Sequence, residues 1–131
     1  MKQHPKAFSF IETHKSIAEV LTNHGLASLG DTYVNFAYSL ALSNRKGKPS
    51  GEKVKGSILA EALKKAGLRE YMPSRTTRHM LADAAEALIV YAWLHSCITL
   101  EDCVATLVKT KDPVEGFRQL LSAARSRAKF S

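Results

Sequence analysis

The sequence lacks the features that define several classes of protein. No apolar run approaches the roughly 18 to 20 residues that a membrane-spanning helix needs, so we expect no association with a membrane. The first ten residues, MKQHPKAFSF, contain no long apolar stretch after the basic residues. We therefore expect no secretory signal and a cytoplasmic location. No segment shows the sustained alternation of apolar and polar residues that predicts a β-strand.

Cysteine is also scarce. Cys97 and Cys103 are the two cysteines, and they belong to no CxxC or Cys/His cluster, which argues against a structural zinc site. We expect both to be small buried residues of a reducing compartment, with a disulfide between them as the less favoured alternative.

Acidic residues are fewer than basic ones. The chain has 12 Asp and Glu against 19 Lys and Arg, a formal net charge of +7, which favours a polyanionic partner such as nucleic acid. The length of 131 residues and the hydrophobic content of 45% are those of an ordinary globular protein. We expect a single domain over residues 1–131, large enough to bury its own core.

Apolar residues recur at helical spacing through most of the chain and predict an all-α fold. A break rich in Gly, Pro and Lys at residues 44–56 separates the second helix from the third. Gly25 is predicted to end the first helix. Thr99 with Asp102 resembles a capping box, and the Asp112-Pro113 pair predicts the start of the last helix. The predicted helices are residues 5–23, 29–43, 54–66, 77–96, 100–108 and 113–129.

Three carboxylates stand in segments that are otherwise small and apolar. Asp31 lies in LASLGDTYVNF, and Asp83 and Glu86 lie in LADAAEALIVYAWL. A buried carboxylate without a partner is strongly disfavoured, so each needs a basic side chain, a helix N-terminus or a cation. Because Asp83 and Glu86 are three residues apart, they share one face of the predicted fourth helix.

Two interpretations of these carboxylates fit the sequence. In the structural one, Asp31 caps the first turn of its helix, Asp83 caps locally or pairs with His79, and Glu86 pairs with a nearby Lys or Arg. In the functional one, the second and fourth helices cross and bring the three carboxylates together. Such oxygen donors suit Mg²⁺ or Mn²⁺, which can activate water and stabilise the charge on a phosphate under attack.

The same segments resemble the ribonuclease III family in order and spacing, over roughly residues 25–108. LASLGDTYVNFAYSL looks like the family's signature helix, and LADAAEALIVYAWL is similar to its second acidic motif. VKGSILAEALKKAGLREYMPS resembles the segment between the two motifs. The resemblance implies an all-helical endonuclease domain that binds Mg²⁺, or Mn²⁺, through Asp31, Asp83 and Glu86. It also implies a homodimer that cuts double-stranded or structured RNA, with Leu29, Tyr33 and Phe36 shared between the core and the interface.

The chain departs from the family at two positions. Where most members have Glu four residues before the LGD aspartate, this chain has Ala27, and His24 stands at the place of a further Glu. LASLGD is similar to the signature of the Mini-III branch, which lacks a double-stranded-RNA-binding domain. The missing carboxylates also favour an alternative function, a dimer of the same fold that binds RNA or assists assembly with weak or no catalysis. A helical protein–protein adaptor would leave the acidic motifs unexplained.

Basic residues near these motifs are candidates for contacts with RNA phosphates. In the functional interpretation the Gly/Pro-rich loop is a mobile arm, and in the plainer one it is a solvated surface loop. Glu52 in that loop is a candidate for the missing carboxylate ligand. The arginines before the second acidic motif either reach phosphate or neutralise Asp83 and Glu86. The candidates are Arg45, Lys46, Lys48, Lys53 and Lys55 in the loop, with Arg75 and Arg78 before the motif.

Overall fold

The structure, a computed structural model, describes residues 8–130 and contains six α-helices and no strand in that range. A 3₁₀ turn at Arg69–Tyr71 connects the third helix to the fourth. The all-α prediction is confirmed, and no helix of the described range is long and apolar enough to cross a bilayer. The helices are α1 (Ile17–Leu21), α2 (His24–Lys46), α3 (Gly56–Lys65), α4 (Arg78–Leu94), α5 (Leu100–Lys109) and α6 (Pro113–Arg127).

Helix α4 lies at the centre of the fold. It is buried on nearly all sides from Leu81 to Leu94 and packs against α1, α2, α3 and α6. A helix that is apolar around its whole circumference must be enclosed by others, as the sequence predicts for this segment. Many of its residues are alanines, which let the backbones of neighbouring helices come close.

The helix starts in the second half of the chain follow the capping signals. Thr77 caps α4, and Thr99 forms a complete capping box with Asp102 at the start of α5. Asp112 caps α6, with Pro113 in its first turn. These predictions are confirmed because each cap depends on residues adjacent in sequence.

The first predicted helix is wrong in extent. Helix α1 spans only Ile17–Leu21, whereas apolar spacing predicts a helix over residues 5–23. Residues 5–7 lie outside the described part of the chain, and residues 11–16 form no helix. The Ser16 side chain accepts a hydrogen bond from a backbone N–H in the first turn of α1 and so sets its start.

Helix α2 begins earlier than predicted. Asn23 caps it through a hydrogen bond from the Leu26 backbone N–H, so Gly25 lies in its first turn and does not end a helix. Asp31 therefore lies two turns inside α2, and neither a cap nor the helix dipole compensates its charge. The structural interpretation of Asp31 is wrong. At the other end, Gly47 adopts a left-handed φ of 73° and terminates the helix.

Helix α2 passes very close to α4 at Gly30. A Cβ atom on Gly30 would lie 2.1 Å from the backbone carbonyl oxygen of Glu86 and 2.5 Å from the carbonyl carbon. These backbone atoms belong to the central helix and cannot turn aside as a side chain can. Only glycine permits this contact, which fixes the crossing point of α2 and α4 one residue before Asp31.

Replacing Gly30 by Ala is expected to destabilise the fold by about 3 kcal/mol or more, because α2 and α4 must separate along their contact. Gly25→Ala on the same helix is the matched control, since its added Cβ would meet no atom closer than 3.4 Å. We expect that control to be neutral or slightly stabilising. Urea unfolding of both variants measures the difference, and equal stabilities would show that the contact at Gly30 does not constrain the fold.

Candidate active site

The contact at Gly30 places Asp31 beside α4. The carboxyl groups of Asp31 and Glu86 lie within hydrogen-bonding reach of each other, and the charge of Asp83 acts on Glu86. Glu86 is 5% exposed and is the buried charged residue of the described chain, whereas Asp83 is exposed. The crossing of the second and fourth helices, which the functional interpretation requires, is present in the fold.

The surroundings of Glu86 favour its neutral form. Burial and the neighbouring carboxylates raise the pKa of Glu86 from 4.5 to about 8. Desolvation is the largest cause, the hydrogen bond and charge of Asp31 follow, and the ammonium group of Lys53 opposes them weakly. A protonated Glu86 can donate a hydrogen bond to a neighbouring carboxylate, whereas the ionised form can only accept one.

Basic side chains do not neutralise the three carboxylates. Between residues 8 and 130, the salt bridges are Lys46–Glu52, Lys64–Glu61 and Arg118–Glu115. The predicted pairing of Asp83 with His79 and the pairing of Glu86 with a Lys or Arg are therefore wrong. Within this range, burial and the neighbouring carboxylates instead favour the neutral form of Glu86.

Asn35 holds Asp31 in position. Its side-chain Nδ2 donates to the backbone carbonyl of Asp31 at 2.8 Å and to Oδ1 of the Asp31 carboxylate at 3.1 Å. Its Oδ1 accepts a hydrogen bond from the Val54 backbone N–H at 2.8 Å. Asn35 thus ties the carboxylate to the loop that enters α3. Sequence reasoning missed this residue, and its four-residue spacing from Asp31 is the signal that could have found it.

The chemistry of this donor set fits a hard divalent cation. Carboxylate oxygens are the ligands that Mg²⁺ and Mn²⁺ prefer, and a cation would offset the repulsion between neighbouring carboxylates. Among the residues that the structure describes, no group of three or more His, Cys, Asp or Glu side chains is already arranged to hold a metal ion. The metal site of Asp31, Asp83 and Glu86 stays a prediction.

The positions without a carboxylate border a cavity. Buried Ala27 and exposed His24 line a cavity of about 220 Å³ together with Asp83. Glu52, the candidate for a replacement ligand, forms an ion pair with Lys46, with Nζ 2.7 Å from Oε2. That ion pair engages the Glu52 carboxylate within the loop.

The basic loop lies against α2 and is not a free arm. The Ser39 hydroxyl donates to the Glu52 carbonyl and accepts from the Glu52 N–H, at 2.9 and 2.8 Å. The Ser43 hydroxyl contacts the backbone of Ser50 in the same way, at 3.1 and 2.9 Å. Together with the hydrogen bond from Asn35, these contacts hold the loop along its length. The mobile-arm interpretation is wrong.

Arg45 has a structural role that its position in a basic segment does not predict. Its Nη2 donates to the carbonyl oxygens of Leu107, Val108 and Thr110 at 2.8 to 2.9 Å. These carbonyls lie at the C-terminal end of α5, where backbone acceptors lack helical partners. Arg45 therefore ties the end of α2 to the end of α5.

The other predicted basic residues remain available at the surface. In the described range, their charged groups make no hydrogen bond or ion pair with another residue. The charge of Lys53 acts on Glu86, and the start of α3 at Gly56 faces the Ala82 side chain of α4. A cation thus approaches Glu86 from the loop, and the two arginines precede Asp83 and Glu86 in sequence. These exposed residues are Lys48, Lys53, Lys55, Arg75 and Arg78.

Comparison with protein families gives one match. The family model described as Ribonuclease III matches residues 24–129, a longer segment than the motifs indicate. The match includes helices α2 to α6 and all three carboxylates, and it does not single out the Mini-III branch. No individual curated protein matches the chain.

The stability of the protein in metal-free buffer is expected to fall as pH rises from 4.5 to about 8. Over this window the folded chain keeps a proton on Glu86 that the unfolded chain has released, so rising pH favours unfolding. Glu86→Gln is neutral at every pH and removes this dependence. We expect the wild type to lose roughly 2 to 4 kcal/mol relative to Glu86→Gln across the window, measured by urea unfolding. If the free energies of unfolding of the wild type and of Glu86→Gln changed equally with pH, the raised pKa of Glu86 would be contradicted.

Proposed function

Because the chain belongs to the ribonuclease III family, we propose that it is a metal-dependent endoribonuclease. Its substrates are double-stranded or structured RNA, which it cleaves by hydrolysis to leave a 5′-phosphate and a 3′-hydroxyl, as in the processing of an RNA precursor. The observation that carries this proposal is the contact between Asp31 and Glu86, with Asp83 adjacent, at the crossing of α2 and α4.

Each residue of the site has a defined task in this proposal. Asp31, Asp83 and Glu86 would hold Mg²⁺, or Mn²⁺ in its place. When bound, the ion supplies an activated water and stabilises the negative charge that develops on the phosphate. Asn35 fixes the Asp31 carboxylate through its hydrogen bond. Burial of Glu86 keeps water from competing for its carboxyl group.

The exposed cations around the carboxylates would bind the RNA backbone. Duplex RNA is recognised mainly by shape and through phosphates and 2′-hydroxyls, and contacts of this kind weaken with salt. The net charge of +7 supports such binding. Lys53 is placed to contact a phosphate beside the carboxylates because its charge already acts on Glu86.

The outer face of α2 supports a homodimer. Leu29 and Phe36 are 39% and 54% exposed, and their seven-residue spacing puts both on one face of the helix. Asp31 lies on the opposite side, toward α4. Exposed apolar side chains grouped on one face are typical of an interface. Tyr33, which the family resemblance also suggested near the interface, is buried in the core instead.

One observation favours a second function, an RNA-binding or assembly dimer with weak or no catalysis. Ala27 and His24 stand where most family members have carboxylates, so this chain has fewer ligands for a cation. The same exposed cations would serve RNA binding without cleavage.

Incubation of the purified protein with duplex RNA and Mg²⁺ or Mn²⁺ tests the enzyme directly. We expect cleavage to fall by roughly 100-fold or more in Asp31→Asn and in Glu86→Gln, because each removes a charge that the site needs. Glu61→Gln is the matched control, since Glu61 forms only an exposed ion pair with Lys64 on α3. That control is expected to cleave like the wild type.

The outcomes separate the candidate functions. Salt-sensitive RNA binding without cleavage would reject the enzyme and support the binding module. Absence of RNA binding at low salt would reject both.

Phe36→Glu is expected to convert the dimer to a monomer, because it places a charge on the apolar face of α2 on both sides of a symmetric interface. Light scattering after size-exclusion chromatography measures the mass. Ser57→Glu, in the exposed first turn of α3, is the control and should leave the mass unchanged. A dimer that persists in Phe36→Glu would place the interface elsewhere.

A further inference from the structure

A cavity of about 220 Å³ adjoins the carboxylates. The end of α1, the start of α2, the segment before α4 and the first turns of α4 form it. Its lining is mainly apolar, although its neighbours are the carboxylates and the exposed arginines that precede them. Its apolar lining residues are Leu21, Ala27, Met72, Pro73 and Met80, and Asp83 also lines it.

The size and chemistry of this cavity suit a single small, largely apolar group. Pockets for drug-sized ligands have about 300 to 1,000 Å³, so this one fits something smaller. Met72 and Met80 contribute thioethers, which make favourable contacts with aromatic rings. Met80 is 37% exposed, so part of this apolar lining faces solvent.

We propose that this cavity receives one unpaired nucleobase of the RNA, so that the preferred substrate carries a single-nucleotide bulge at the cleavage site. The inference rests on the proposed function. Asp83 belongs both to the cavity and to the carboxylate group, so a base in the cavity has its own phosphodiester beside Asp31 and Glu86. A base inside a duplex is stacked and paired, whereas an unpaired base enters such a pocket at little cost.

The polar groups of the cavity favour recognition of the face of the base over its edges. The Asn23 side chain is engaged, since Oδ1 accepts from the Leu26 N–H at 2.8 Å and Nδ2 contacts Nε2 of His14 at 3.2 Å. The Thr22 hydroxyl donates to the carbonyl of Ala18 at 2.8 Å. With these groups occupied, the polar contacts left to a base edge are those of His24 and Asp83, so the apolar side chains carry the distinction between an unpaired base and a paired one.

Arg75 and Arg78 supply positive charge in the segment that contributes Met72 and Met80 to the cavity. Both are exposed in the segment that leads into α4, directly between Met72 and Met80 in sequence. Cations at this place can bind the phosphates that flank the unpaired nucleotide, which an apolar cavity beside carboxylates could not do alone.

Binding of two RNAs in metal-free buffer tests the inference without relying on cleavage. One is a fully paired duplex, and the other is the same duplex with a single bulged 2-aminopurine. We expect the wild type to bind the bulged RNA roughly 2- to 12-fold more tightly, given the usual contribution of a contact between a thioether and a ring. The 2-aminopurine emission is expected to rise as the base leaves the RNA stack for a cavity lined mainly by aliphatic and thioether side chains.

Ala27→Leu fills the cavity and is expected to reduce the affinity ratio to about one. Ala105→Leu is the matched control, because Ala105 is an exposed alanine that lines a separate groove between α2 and α5. It should keep the ratio. Met80→Glu is a second test at an exposed position and is also expected to abolish the preference. Circular dichroism checks that each variant folds.

Equal binding of the two RNAs by the wild type would overturn the inference, as would a preference that survives both Ala27→Leu and Met80→Glu. The proposed function fails in a different way. A preference for the bulged RNA without cleavage in Mg²⁺ would reject the endoribonuclease and support the role of the cavity. Cleavage of both RNAs without a binding preference would support the endoribonuclease and reject the role of the cavity.

Discussion

The backbone contact between Gly30 and Glu86 is the constraint on which the rest of the site depends. Two helices seldom come so close that a single Cβ atom would collide with the backbone of the other, and here only glycine avoids the collision. Because Asp31 is the next residue on α2, the contact also determines where its carboxylate lies. The geometry of the site is therefore set by helix packing. A change in packing at Gly30 should move Asp31 relative to Glu86 and so change the pKa of Glu86.

The acidic character of the site has the same origin. Small residues on α4 let four helices surround it, and this enclosure removes water from Glu86 and raises its pKa. Asp31 remains partly exposed and is oriented by Asn35, whereas Asp83 faces solvent. The three carboxylates thus have three different environments. In the proposed function, a cation would replace the proton that the buried Glu86 otherwise retains.

Local signals predicted most of the fold and part of the site. Apolar spacing was sufficient to locate α3, and apolar spacing with capping residues was sufficient to locate α4 to α6. Each of these caps is made by a residue next to the helix start in sequence. The N-terminal segment differed, since Ser16 and Asn23 start new helices where spacing alone suggests one. The motifs identified Asp31 and Glu86 as members of one group. The contact of Asn35 with Val54 and the role of Arg45 could not be predicted, because these partners are distant in sequence and depend on the finished fold.

The hydrogen bonds that hold the basic loop to α2 affect how RNA would be bound. When a loop becomes ordered only on binding, it loses conformational entropy, and this loss makes the free energy of binding less favourable. Here Ser39, Ser43 and Asn35 have already fixed the backbone that carries Lys48, Lys53 and Lys55. The backbone positions that carry these lysines are therefore set before any ligand binds. In the proposed function, this arrangement would favour a ligand whose phosphates are regularly spaced, as they are along a duplex, over a flexible single strand.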